Sequence, residues 1–206
     1  MLLWTTLFES RRLGSNWRSL GFVGGRKRSE ESRLAILAAA FGLAVEVGYA
    51  NMTVEGIAAR SGAGKQTIYR WWPSKADVVL DALATKSDLV VPIPDTGDFR
   101  EDLRRFLVSS FTAARRPEFA TLLRALMAQA QLDADFGSRF RTGFLNRRRD
   151  ALRVILDRAE LPTGMSAETV ADVVFGVIWY RLLATDRPLD EELADELTTI
   201  LGRTSA

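Results

Sequence analysis

Residues 53–72 read TVEGIAARSGAGKQTIYRWW. Lys65, Gln66, Thr67, Tyr69 and Arg70 cluster around one apolar residue, Ile68. These side chains suit a nucleic acid. A glutamine bonds an adenine edge through two hydrogen bonds, an arginine does the same for guanine, and a threonine methyl meets a thymine methyl. Lysine neutralises phosphate. On any other short helix the same residues would simply face solvent, so the element presenting them decides. Ala58, Gly62 and Ile68 are spaced four and then six. That spacing suits two steeply crossing helices: a small residue at the contact, a glycine tolerant of positive φ in the turn, and an apolar residue pointing back. Lys65 would sit in a first helical turn, opposing the helix dipole at about 0.3–1 kcal/mol, a tolerable cost if it serves a phosphate.

The elements that must hold this pair are helices. After residue 29 apolar residues recur at three and four, without the alternation of strands. Ser29 is expected to cap a first helix with Ile36, Leu37, Ala40, Phe41 and Ala44 inward, ending at Gly48-Tyr49. Thr53 caps a short second helix. A third runs from about Gly64 to Trp72 and stops at Pro73. Ser74 caps a fourth, with Val78, Val79, Ala82 and Leu83 inward. Arg26-Lys27-Arg28 lies before the first helix and reads either as a solvated tail or as an arm following the backbone or entering a minor groove.

Residues 92–97, PIPDTG, form a linker. Beyond it a fifth helix starts at Asp98 and a sixth at Pro117. A long seventh carries Phe136, Phe140 and Phe144 four apart, and an eighth runs from about Ser166 to Ala184. Asp190 starts a ninth. The aromatic stripe reads as core packing, and Arg147-Arg148-Arg149 as a solvated face. From Val170 to Leu183, 11 of 14 residues are apolar. A helix apolar all round is buried on all sides, here by its own core and by a second subunit.

Composition narrows the chemistry. The chain of 206 residues has no cysteine and no histidine. Disulfides, zinc fingers and histidine-based triads are excluded, and no carboxylate pair has a catalytic or metal context. Neither a cofactor nor a metal is expected. Residues 1–91 carry 12 Lys+Arg against 8 Asp+Glu, and residues 92–206 carry 16 against 18, so a polyanion is expected to meet the front of the chain. The apolar opening Met1–Phe8 is shorter than the ~20 residues of a membrane span. No membrane partner is expected, and the cytoplasm is the expected location.

The stretch GYANMTVEGIAARSGAGKQTIYRWWPSKADVVLDAL resembles the DNA-binding domain of the tetracycline-repressor (TetR/AcrR) family. PDTGDFREDL, LLRALMAQAQ and WYRLLATDRPLDEEL resemble the C-terminal domain of one of its subfamilies. The resemblance implies an all-α fold of about nine helices, divided into an N-terminal extension (1–29), a three-helix helix-turn-helix domain (30–90) and a helical effector-binding and dimerisation domain (91–206). It implies a homodimeric regulator on a palindromic double-stranded operator, released by a small molecule. Thr53, Lys65, Gln66, Thr67, Tyr69, Trp71 and Lys75 match DNA-contacting positions, Tyr69 and Lys75 on phosphates. Gly64 departs from the family's common serine, which puts a cap and a phosphate contact in doubt.

Two further expectations rest partly on this resemblance. Phe106, Phe111, Leu126, Met127, Gln129, Phe136, Phe140, Phe144 and Trp179 would enclose a mostly apolar effector pocket without strong charge in its wall, with Gln129, Gln131 or Tyr180 orienting a neutral or weakly polar, lipophilic ligand. Val170, Val174, Val177, Ile178, Leu197 and Leu201 would form the dimer interface. Two other readings share the helical pattern: a helix-turn-helix protein without an effector, and a helical carrier or enzyme.

Overall fold

Side-chain caps open most of the helices. Thr53, Ser74, Asp98, Asp133, Ser166 and Asp190 each accept a backbone N–H two or three residues into the helix that follows. The computed structural model describes residues 24–158, 161 and 165–202, with side chains from Ser29 onward. Among these, α1 is Gly24–Asn51, α2 Val54–Ser61, α3 Lys65–Trp71, α4 Lys75–Val90, α5 Phe99–Arg115 and α6 Pro117–Leu132. Helix α7 spans 134–156 as one run: Ala134–Phe140, a π-helical turn at Arg141–Leu145, and Asn146–Leu156. Helix α8 is Ala167–Ala184 and α9 is Glu191–Leu201. No strand occurs among the described residues.

Two details differ from the pattern read in the sequence. Ser29 lies inside α1, which already runs from Gly24, so it caps nothing. The long seventh helix is interrupted by its π-helical turn, which adds a residue to the repeat without breaking the rod. Gly48 ends the regular part of α1 with φ 79° and ψ 156°, an angle pair that favours glycine.

Two apolar cores form, and they do not follow chain order. The first joins α1 to α4 with α6 and the front of α7, through Ile36, Phe41, Ile57, Ile68, Leu83, Phe119 and Phe140. The second joins α5, the back of α7, α8 and α9, through Phe106, Phe111, Leu152, Val174 and Leu197. The segment Ser29–Asn51 of α1 is long and apolar enough to cross a membrane by composition alone. Its Ile36, Leu37, Ala40 and Phe41 are instead sealed inside the first core.

Helix α4 takes cations from its neighbours with three acidic side chains. Asp77 takes Arg139 of α7 at 2.7 Å. Asp81 accepts from Arg33 of α1 at 2.9 Å and from the Trp72 indole at 3.0 Å. Asp88 takes both Arg147 and Arg148 of α7. The arginine run is therefore only partly a solvated face: Arg147 is exposed, while the other two turn to partners on neighbouring helices. Arg148 is 6% exposed, and Arg149 reaches Glu168 at 2.8 Å and Asp172 at 2.6 Å on α8.

Helix α8 buries Val170, Ala171, Val174, Ile178 and Leu182 within its own protomer. Five of the six expected interface residues, Val170, Val174, Ile178, Leu197 and Leu201, thus point inward and are 7% exposed or less. They are needed to fill the second core. The outward face of α8 is Val173, Tyr180 and Leu183, at 37%, 63% and 48% exposure, with half-buried Val177 beside them.

Candidate functional site

The helix-turn-helix is built from three local decisions. Thr53 Oγ1 accepts the Gly56 N–H at 3.0 Å and starts α2. Gly62 ends α2 at φ 70° and ψ 11°, a left-handed conformation that costs a side chain but not glycine. Ile68, with no exposed surface, pins α3 to the first core. Gly64 occupies the N-cap of α3 with no side-chain hydrogen bond, so the missing serine leaves that cap unmade.

Once Ile68 and Trp72 are buried, helical geometry turns the polar residues of α3 outward. Lys65, Gln66, Tyr69 and Arg70 are exposed, while Thr67 and Trp71 are half-buried at the edges. Thr53 is also exposed, at the start of α2. The structure thus gathers the expected DNA-facing residues on one surface. Lys65 Nζ lies 3.0 Å from Glu55 Oε1, both side chains being more than half exposed. The hydrogen bond from Lys65 holds the Glu55 carboxyl below its ordinary value. The Arg70 guanidinium rests over the Trp71 ring at 5.8 Å. Arg26, Lys27 and Arg28 lie in the opening turns of α1, and their side chains fall outside the described residues.

Lys75 stands apart from this set. Its ammonium donates to the carbonyls of Tyr49, Ala50 and Met52, each at 3.1 Å, and lies 4.8 Å from the centre of the Tyr49 ring. An ammonium has three donors, and all three are used here. Lys75 closes the carbonyl end of α1 onto the start of α4. Burial raises the Tyr49 phenol above its ordinary value, with Asp133 and Asp77 adding to the shift. Asp81 was not anticipated. By holding Arg33, Trp72 and Thr85 together it fixes the exit of α3 against α1 and α4.

A cavity of about 60 Å³ lies between α4, α5, α6, α7 and α8. Of the nine expected pocket residues it is lined only by Phe144 and Trp179. Phe136 and Phe140 stack in the first core with Leu126, and Phe106 and Phe111 fill the second, so these are packing residues. Met127 and Gln129 are half-buried away from the cavity. Gln131 and Tyr180 are exposed and do not reach it either. Its polar lining is Ser87, Ser110 and Arg148. The expectation of a wall without strong charge is corrected: a buried guanidinium is part of it. Arg148 lies 3.2 Å from Asp88 and 5.3 Å above the centre of the Phe106 ring. Among the described residues no cluster of three or more acidic side chains could hold a metal ion.

Residues 36–82 match the family described as bacterial regulatory proteins, tetR family, and residues 93–201 match the tetracyclin repressor-like C-terminal domain. The chain is 33% identical over 184 residues to the HTH-type transcriptional regulator YdeS of Bacillus subtilis, covering 84% of this chain and 89% of YdeS. It is 27% identical over 191 residues to the DNA-binding transcriptional repressor TetR of Mycobacteroides abscessus, covering 87% and 98% of the two chains. Among solved structures, the TetR family transcription regulator SCO0332 aligns with a TM-score of 0.74 at 30% identity, over 85% of this chain and all of that one. The chain belongs to the TetR family and is a helix-turn-helix, DNA-binding transcriptional regulator.

Proposed function

We propose that this regulator is a cytoplasmic homodimeric repressor that occupies a palindromic operator and leaves it when a small molecule opens the inner cavity. The outward face of α3 carries the reading. Gln66, Thr67 and Arg70 read base edges in the major groove, and Lys65, Tyr69, Trp71 and Thr53 hold the phosphate backbone. Arg26, Lys27 and Arg28 add an arm on the same strand or in the minor groove. Lys75 is a positioning residue, because its donors serve α1. The DNA-binding unit comprises 30–90, and 91–206 provides ligand binding and dimerisation. The second subunit meets the exposed apolar face of α8, at Val173, Val177, Tyr180 and Leu183. Repression is supported by the likeness to a repressor along nearly the whole chain. No catalytic step, metal or cofactor belongs to this reading.

The test selects genomic fragments with the purified chain and footprints those enriched. An inverted repeat is expected, with two half-sites about one helical turn apart or a multiple of it. Tyr180→Asp puts a charge into the proposed interface and is expected to give a monomer in sedimentation and loss of the footprint. Enrichment without sequence preference would defeat operator recognition. A monomeric wild type would defeat the palindrome.

A further inference from the structure

The Arg148 guanidinium is held in a manner that ordinary packing does not require. The residue is 6% exposed, and its Nη2 is buried without any hydrogen-bond partner. Nη1 reaches Asp88 at a weak 3.2 Å, and Asp88 is already held by Arg147. A buried, unsatisfied donor on a cation costs several times what an ordinary unmade hydrogen bond costs. Such a group calls for an explanation, and a polar ligand is one. Burial pushes this guanidinium below its ordinary value, with Asp88 opposing. Arginine starts so high that it stays a cation regardless.

The surroundings describe what would satisfy it. Arg148 lines the inner cavity together with the hydroxyl residues Ser87 and Ser110 and with Phe119, Phe144, Phe175 and Trp179. It also lines a second hollow, an outer groove of about 500 Å³ that runs beneath Pro92 and Ile93 and shares Val91 with the cavity. Resting on the effector reading above, we propose that the ligand of this protein is an amphipathic carboxylic acid whose carboxylate is taken by Arg148 and whose aromatic or alkyl body lies along the Phe144–Trp179 wall. A carboxylate matches a guanidinium in geometry and charge, and its hydrogen bonds are about twice as strong as neutral ones. An amine would meet a like charge in a dry site, and an alcohol would leave the cation with only its weak Asp88 contact.

The cavity of about 60 Å³ is less than half of the ~150 Å³ that accepts benzene. An aromatic body therefore enters by displacing walls. Phe175 and Trp179, both half-buried, are the ones with room to move, and the outer groove is the route past Val91. The carboxylate also competes with Asp88 for Arg148. Asp88 lies on α4, the same helix whose Asp81 and Lys75 seat the helix-turn-helix. Ligand binding is thereby felt on α4.

The test uses one skeleton with three head groups: 4-phenylbutyrate, 4-phenyl-1-butanol and 4-phenylbutylamine. Calorimetric titration of the full chain is expected to rank the acid at least tenfold tighter than the alcohol, with the amine weakest. In Arg148→Met the acid loses that advantage while the alcohol binds as before. This variant keeps an apolar side chain of similar length, and Asp88 retains Arg147, so the fold is not left with an orphaned carboxylate. In Asp88→Asn the competitor for Arg148 is gone, and the acid is expected to bind at least threefold tighter. Equal affinity of acid and alcohol in the wild type, an acid preference that survives in Arg148→Met, or weaker acid binding in Asp88→Asn overturns the assignment of the carboxylate to Arg148. If acid and alcohol bind equally, the cavity still stands as an effector site. If none of the three binds at millimolar concentration, both the carboxylate and the effector reading fall, while DNA recognition is untouched.

Discussion

The recognition helix and the inner cavity solve opposite problems. Helix α3 is seven residues long, exposes Lys65, Gln66, Tyr69 and Arg70, and is seated by the two buried residues Ile68 and Trp72. Its partners are close in sequence: Glu55 pairs with Lys65, and Gly62 sets the turn. The cavity draws its lining from five helices between Ser87 and Trp179 and buries its one cation. An exposed polar helix costs little to keep ready and exchanges water for phosphate when DNA arrives. A buried guanidinium with an unpaired nitrogen is costly to keep, and on the proposed reading a ligand relieves that cost. The first surface therefore suits a large, always charged polymer. The second suits a small molecule whose arrival changes the energy of the protein itself.

The seating of α3 should be the most fragile part. Ile68→Ala removes a side chain with no exposed surface, and a loss of about 2–5 kcal/mol is expected. Urea unfolding measures it, and operator binding should fall with the fold. If stability drops by less than about 1 kcal/mol, well below the usual range for such a deletion, α3 is held by something other than its apolar anchor.

Lys75 separates seating from reading. With three carbonyls on its ammonium, Lys75→Ala is expected to cost about 1–3 kcal/mol of stability. The dependence of DNA affinity on salt should stay as in the wild type. A slope flattened by about one unit per subunit would instead return Lys75 to the phosphate backbone, where its family position placed it.

How legible each region was follows from how local it is. Ala58, Gly62 and Ile68 announce the crossing of α2 and α3 because every constraint lies within a dozen residues. Thr53, Ser74, Asp98 and Asp190 announce helix starts for the same reason. The cavity has no such local signature. Phe136, Phe140 and Phe144 have identical spacing and identical chemistry and stack in one row, yet only Phe144, at its end, lines the cavity. Arg148 was hidden in an arginine run that composition assigns to solvent. One signal existed: Asp77, Asp81 and Asp88 lie on one side of α4, spaced four and seven. Half-buried acids at helical spacing ask for cations opposite, and Arg139, Arg33 and Arg148 are those cations, of which Arg148 alone is buried. On α8 the hydrophobic pattern was too uniform to show which face turned outward, so Val170 and Val174 were indistinguishable from Val173 and Val177.

Base reading should appear as a change of preference rather than of stability. Gln66 and Arg70 are exposed, Arg70 touching only the ring of neighbouring Trp71 on the surface. Gln66→Ala or Arg70→Ala is therefore expected to leave the unfolding midpoint in place. Each should relax preference at one or two operator positions by about 1–3 kcal/mol where a two-bond contact to a base is lost. Affinity measured against a set of single-base operator variants checks this. A uniform loss on every sequence would make the residue a phosphate ligand.

The smallest effect belongs to the pair that most resembles Asp88–Arg148 on paper. Glu55 and Lys65 are also a carboxylate and a cation at hydrogen-bond distance, 3.0 Å apart. Both are more than half exposed, so water already screens them, and neither side chain is dry enough to make the pairing costly to break. Lys65's hydrogen bond keeps the Glu55 carboxyl below its ordinary value, so Glu55 is fully ionised at neutral pH. On the proposed reading, in which Lys65 serves a phosphate, that charge works against binding twice: it holds the ammonium, and it brings a negative charge of its own to the phosphates. Glu55→Gln removes the charge and keeps the shape, and operator affinity is expected to rise at low salt by no more than about fivefold, the scale of an exposed ion pair. The gain should shrink as salt rises, because screening removes the repulsion it came from. Anisotropy titrations of a labelled operator at two salt concentrations read both. A weaker or unchanged affinity would place Lys65 away from the phosphates and leave its position in the first turn of α3 without a function.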